Sequence, residues 1–265
     1  YTYGKTEYLK IKPGMEKAAA FLESRRYAAM LGATSEFNKM EGVTLNEKDK
    51  KVYIAISDQS NGMLSNPTDP TDDIHLPKIK SGVTYQLDLT EGQRDSSGKE
   101  IHSEYVAAKM SGVVVGKDMP VDAYGNTADA NSVANPDNLS YSEALRTLFI
   151  GEDSGMHTNN FVWAYNVDTK ELSRILSIPA GAEATGLAAI DNRNGFSYLM
   201  SNFQHPGDEL DTKQITALDK NALVKAMENG IGIDRTGGVG YISGLPSLED
   251  LQNEQRDINS IFHKK

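Results

Sequence analysis

A short strand, a polar turn and a second strand recur three times in this chain, and that recurrence restricts the fold most. The stretches are EGVTLNEKDKKVYIAISDQ (41–59), DNLSYSEALRTLFIGEDSG (137–155) and EATGLAAIDNRNGFSYLMSNFQ (183–204). Their second strands are expected over 52–56, 147–150 and 196–200, each running into polar residues: Ser57-Asp58, Glu152-Asp153 and Ser201-Asn202. A repeated strand–turn–strand unit is how a β-propeller looks in sequence. A β-sandwich with turn-rich loops is the competing architecture. FVWAYNVDTKELSRILSIP supplies an outer hairpin for the second unit, turning at Asp168-Thr169-Lys170. The first unit is followed by a long insertion over 59–136. It holds an acidic, Pro-rich loop (NPTDPTDDIHLP) and two strand-like runs, VTYQLDL and SEYVAAKM. The uneven spacing marks a divergent repeat rather than an array of near-identical motifs.

Helical texture flanks this β region. MEKAAAFLESRRYAAMLG is rich in helix formers and predicts a helix over 15–31, with Glu16 in its first turn and Gly32 as its stop. Its alanines, with Leu22, Met30 and Leu31, suggest a packed face, and Arg25 and Arg26 a solvated one. ALDKNALVKAMENG predicts a second helix with an Asn or Asp cap and Gly230 as its stop. GIGIDRTGGVG lacks the strand–loop–helix setting and the Lys-Ser/Thr of a phosphate-cradling loop, so it takes no nucleotide role. SLEDLQNEQRDINSIF reads as a terminal helix, with Ser247 and Asp250 at capping-box spacing.

Composition removes whole classes of chemistry. The 265 residues include no cysteine, which excludes disulfide scaffolds, zinc ribbons and thiol catalysts. A net charge of −10 argues against a nucleic-acid partner, because phosphate backbones need a basic face. No apolar run approaches the ~20 residues that span a bilayer. There is no G-x-S-x-G and no HExxH, so a hydrolase on this chain would be metal-based.

The remaining ligand pool is oxygen and five histidines, a set suited to hard cations and chiefly calcium. In a propeller the inner strands of successive blades bring their ends together near the axis. Carboxylates at corresponding ends would meet there although they are distant in sequence. Glu41, Glu152, Asp153 and Glu183 fit that picture, each at the edge of a unit and beside small residues (Gly42, Gly151, Ala184). Taken singly, each reads as a solvated turn carboxylate, and only the shared position across the units argues otherwise. Lys39 lies two residues before Glu41, on the same side of an extended segment. A cation beside a metal-binding carboxylate is what a phosphate site needs; a plain surface lysine is the alternative. In NFQHPG, Asn202, Gln204 and His205 could line a polar pocket, with Pro206 fixing the exit of the chain from His205. His157 could also face a site.

These residues carry a family resemblance. MEKAAAFLESRRYAAMLGATSEFNKMEGVT, KVYIAIS, FIGEDSG, AEATG and NFQHPG, in that order over about residues 8–210, resemble the PhoX-type bacterial alkaline phosphatases. The resemblance implies a mainly β chain forming a β-propeller, six-bladed in the family, with a few peripheral helices. It implies hydrolysis of small phosphate monoesters at a carboxylate-bound calcium and iron site, in an exported protein of the periplasm or the extracellular space. It assigns Glu41, Glu152 or Asp153, and Glu183 as metal ligands. It puts Lys39 where the family often holds phosphate with an arginine, and His205 in the family's His-Pro-Gly segment. Asn202 is expected to shape the pocket with His205. Residues 1–265 then read as a single domain, an incomplete part made of the C-terminal three blades or so: either a second chain supplies the N-terminal half, or the sequence is a truncated product or a shortened homologue. The family's iron-ligating cysteine has no counterpart, which leaves calcium as the expected cofactor and puts iron in doubt. The alternative reading is a calcium-binding, propeller-like binding protein without turnover.

Overall fold

The structure, a computed structural model, describes residues 10–253 apart from 35, 68–71, 96, 230–234, 248 and 251–252. It is mainly β, built as three antiparallel sheets that follow one another along the chain. Sheet 1 runs in order through β1 (Met40–Asn46), β2 (Lys51–Ile56), β3 (Val83–Thr90) and β4 (Val106–Val115). Sheet 2 does the same with β5 (Pro136–Ser142), β6 (Thr147–Glu152), β7 (Phe161–Asn166) and β8 (Leu172–Ser177). Sheet 3 has β9 (Glu183–Arg193), β10 (Phe196–Gln204) and β11 (Gly238–Ile242), with β10 in the middle. The first strands adjoin one another, β1 beside β5 and β5 beside β9. Each of the three repeated stretches is thus the first hairpin of a sheet. The two runs in the long insertion are β3 and β4.

A register shift interrupts each of those hairpins near the open end of its first strand. It falls between Met40 and Val43 in sheet 1, between Pro136 and Leu139 in sheet 2, and between Met200 and Asn202 in sheet 3. Such bulges bend a strand and increase its twist, which lets the first strands turn past one another. Glycine then permits close approach. A Cβ on Gly42 would lie 2.3 Å from the Asp137 carbonyl oxygen, and one on Gly151 would lie 2.4 Å from that of Ala184.

Apolar side chains fill both joints. Tyr53, Ala55 and Val114 of sheet 1 meet Leu139, Leu148, Ile150 and Trp163 of sheet 2. Phe149 and Val162 of sheet 2 meet Ala184 and Leu199 of sheet 3. Sheet 2 is therefore buried on both faces, and β6 from Leu148 to Glu152 has no exposed position. A strand covered on both sides reads as a continuous apolar run rather than an alternating one. At the opposite end from the bulges, Arg146 ties three turns together. Its Nε and Nη2 each reach Asp168 at 2.9 Å, Nη2 reaches Asp49 of sheet 1 at 2.5 Å, and Nη1 donates to the Tyr141 hydroxyl at 2.8 Å. Those hydrogen bonds hold the Asp49 and Asp168 carboxyls below the usual carboxylate range.

The helices depart from expectation. The stretch 15–31 is two helices, α1 (Glu16–Leu22) and α2 (Ser24–Met30), broken at Glu23 with φ −134° and ψ 36°. Neither has a buried residue, and Leu22 is 81% exposed, so the expected packed face is open to solvent. Gly32, at φ +93°, does stop the second one. α3 (Lys220–Asn229) is capped by Asp219, whose Oδ1 accepts from the Asn221 and Ala222 N–H groups. The last three residues of the glycine-rich run, 238–240, belong to strand β11 rather than to a loop. Ser247 and Asp250 make the reciprocal capping contacts, while most of the terminal helix expected after them lies outside the described residues. Among the described residues no helix is long and apolar enough to cross a membrane.

Candidate functional site

The bulged ends of the three sheets gather acidic side chains from separate parts of the chain. Lys39 precedes β1 with φ +46°, a left-handed conformation that only a closely determined turn imposes on a lysine. Its ammonium lies 3.3 Å from Glu41 Oε1, and the Ser57 hydroxyl donates to the same oxygen at 3.4 Å. Asp137, second residue of β5, accepts from the Asn138 amide at 2.7 Å. Its carboxyl is pushed up by burial first and by the charge of Glu41 next, with Glu183 adding to this and Lys39 opposing it. Asp153 follows β6. Burial, then the charge of Glu183 and a hydrogen bond shared with it, then the charge of Asp137, push its carboxyl up to about 6. Glu183 opens β9. His205 Nε2 lies 2.6 Å from its Oε1, and the Gln204 amide donates to Oε2. His205 is also left-handed, at φ +37°, and its Nδ1 is buried with no hydrogen-bond partner, 3.7 Å from Asp208.

Four carboxylates from three sheets thus influence one another around one lysine. Five of the expected residues take part: Lys39, Glu41, Asp153, Glu183 and His205. Asp137 was not singled out by sequence reasoning, yet its signal was there. Each aligned stretch begins with an acidic residue, Glu41, Asp137 or Glu183, and the middle one is Asp137.

Three expectations do not hold in the geometry. Glu152 points into the joint between sheets 1 and 2 and is fully buried. Oε1 accepts from the Ala134 N–H at 2.9 Å and the Trp163 indole N–H at 2.7 Å, and Oε2 from the Phe161 N–H at 3.0 Å and His157 Nδ1 at 3.0 Å. Both oxygens are saturated, so Glu152 has no lone pair to give a metal. His157 is its partner, fully buried and edge-on to Phe161, and faces no opening. Asn202 lies inside β10, which continues to Gln204, rather than beyond a strand that ends at residue 200. Its amide donates to Thr185 Oγ1 at 2.6 Å, and its Oδ1 fills the space above Gly186, 1.5 Å from where a Cβ would sit.

The donor set is all oxygen apart from His205, which fits a hard cation and not iron held by thiolate. Among the described residues, no group of three or more His, Asp or Glu side chains is positioned to hold a metal ion. Comparison with protein-family models, with curated proteins and with solved structures finds no match.

The crowding has a consequence for stability. Asp153 binds its proton more tightly folded than unfolded, where a carboxyl sits near 3.8. That contribution is fully present below the unfolded value and is lost as pH rises through about 6. Lowering the pH from 7 to 5 is therefore expected to stabilise the metal-free chain by about 1 kcal/mol at most, solvent screening of the part-exposed carboxyl taking some of it. Urea titrations at the two pH values check this, and Asp153→Asn should flatten the difference.

Proposed function

We propose that the three sheets are consecutive blades of a β-propeller, and that its acidic mouth holds calcium and hydrolyses phosphate monoesters, as in the PhoX-type phosphatases the sequence resembles. The observation that carries this reading is the gathering of Glu41, Asp137, Asp153 and Glu183 around Lys39. Such crowding costs energy, which a divalent cation would relieve. As placed they form no ligand set, so their side chains would have to turn inward to hold that cation, which once bound would supply positive charge at the phosphoryl oxygens. Iron is left out of the proposal because the cysteine that ligates it in the resembled family has no counterpart here.

The side chains of the chain itself divide the remaining work. Lys39, released from Glu41 as the carboxylate turns to the cation, takes a phosphate oxygen as a point charge rather than a bidentate fork. Glu183 fixes the His205 ring through Nε2, which leaves the unpartnered Nδ1 as an acceptor on the side of Asp208. Export to the periplasm or beyond, where calcium is plentiful, belongs to the same proposal.

Calcium is expected to raise the melting temperature and to support cleavage of a chromogenic phosphate monoester, with chelator removing both effects. Asp137→Asn should lose the thermal shift, and Lys39→Ala should raise KM more than it lowers kcat. Neither thermal shift nor turnover with calcium supplied would overturn the proposal. A thermal shift without turnover would leave a calcium-binding protein that is not an enzyme.

A further inference from the structure

Each acidic residue that opens a repeated hairpin is preceded, two positions earlier, by a left-handed residue. Lys39 before Glu41 has φ +46°, Asn135 before Asp137 has φ +44°, and Gly181 before Glu183 has φ +67°. Glycine adopts this conformation freely, and asparagine does so more readily than most residues with a side chain. In sheets 1 and 2 the carbonyl of the left-handed residue also accepts from the first residue after the second strand. The Ser57 N–H donates to Lys39 at 3.0 Å, and the Asp153 N–H to Asn135 at 3.2 Å. One backbone device thus brings the start of each of these sheets to the end of its second strand at the acidic mouth.

Asn135 adds side-chain contacts that cross the joint. Its Nδ2 donates to the Ser57 carbonyl at 2.7 Å and to the Lys80 carbonyl at 2.9 Å. Its Oδ1 accepts from the Ser154 hydroxyl at 2.6 Å, and its own N–H donates to the Ser81 carbonyl at 2.8 Å. A single residue therefore connects the end of β2, the turn ahead of β3 and the end of β6. Ser57 is also the residue whose hydroxyl reaches Glu41, and Ser154 is the neighbour of Asp153. Both amide hydrogens of Asn135 are used in these contacts.

We propose that Asn135 is a positioning residue of the acidic mouth, fixing across the joint the backbones from which Glu41, Asp137 and Asp153 reach. Only side-chain rotation is then left for a cation to demand. The inference rests on the calcium reading given above and adds a residue that acts through the carboxylates rather than on the ion. Residues that orient ligands in this way typically change metal affinity by about 10- to 100-fold when removed.

Calorimetric titration of the full chain with calcium chloride tests this, alongside urea denaturation of the calcium-free chain. Asn135→Gly keeps the left-handed backbone and deletes the amide, and should weaken calcium binding by about 10- to 100-fold. Ser154→Ala removes one of the contacts and should give a smaller loss in the same direction. Asn166→Ala is the control. It strips a turn at the opposite end of sheet 2, where Asn166 Oδ1 accepts from the Asp168 and Thr169 N–H groups, and should lower stability while leaving calcium affinity at the wild-type value. Tight wild-type binding that Asn135→Gly leaves unchanged would overturn this inference alone, as would an affinity that falls equally in Asn166→Ala. A wild-type chain that takes up no calcium would overturn the reading of the site and this inference with it.

Discussion

Glu152→Ala is expected to destabilise the chain by about 3–5 kcal/mol, enough to unfold many domains of this size at ambient temperature. The loss has several parts. The carboxylate receives four donors from three elements, and its removal leaves the Trp163 indole N–H, His157 Nδ1 and the Ala134 and Phe161 N–H groups in a sealed joint. Each buried donor left unpaired costs about 1–3 kcal/mol, partly recovered as water enters the space. Glu152→Gln keeps the volume but turns one acceptor into a donor that faces other donors, so it should sit between wild type and Ala. Chemical denaturation with calcium and with chelator checks the assignment. Both variants should lose the same stability in either condition. A loss confined to the calcium condition would return Glu152 to the metal site.

The second large effect is expected at Gly42. A Cβ there would lie 2.3 Å from the Asp137 carbonyl oxygen and 2.8 Å from the Leu139 nitrogen. These are backbone atoms, which cannot rotate away as a side chain can, so Gly42→Ala must force β1 and β5 apart. Overpacking of this kind costs about 1–3 kcal/mol and occasionally more, and the upper end applies because both neighbours are backbone. The same displacement would separate Glu41 from Asp137, so any thermal shift by calcium should fall along with stability. Gly240→Ala is the control: nothing lies within 4 Å of its Cβ position, and its stability should match wild type. A Gly42→Ala variant as stable as that control would mean that the strands are not held at this distance.

The three hairpins were legible because each carries its own turn and its own apolar strands, which are local properties. So was the outer hairpin at Asp168-Thr169, where Asn166 Oδ1 accepts from both turn N–H groups. The choice between Glu152 and Asp153 was not legible. Sheet 2 is covered on both faces, so its strands lack the polar alternation that tells which neighbour points inward. Asn202 was misplaced for a related reason. A polar run ending a strand looks like a turn until the partner strand is known, and β11 arrives from more than thirty residues later in sequence. Asp137 is the reverse case, a residue whose equivalence to Glu41 and Glu183 could be read off the aligned stretches. For 15–31 the sequence carries helix propensity but not the break at Glu23, nor what its apolar side chains would pack on.

The chain has a single tryptophan, and it stands in the joint between sheets 1 and 2 with its indole N–H on Glu152. Indole emission shifts with the polarity around the ring, so the fluorescence of Trp163 reads the state of that joint directly. Sheet 3 contributes no side chain to the cluster around it. It could loosen or come away while the emission stayed unchanged, and only far-ultraviolet circular dichroism would register the loss. A gap between the two unfolding curves would therefore time the parting of sheet 3 from the pair that precedes it, without any label added to the protein.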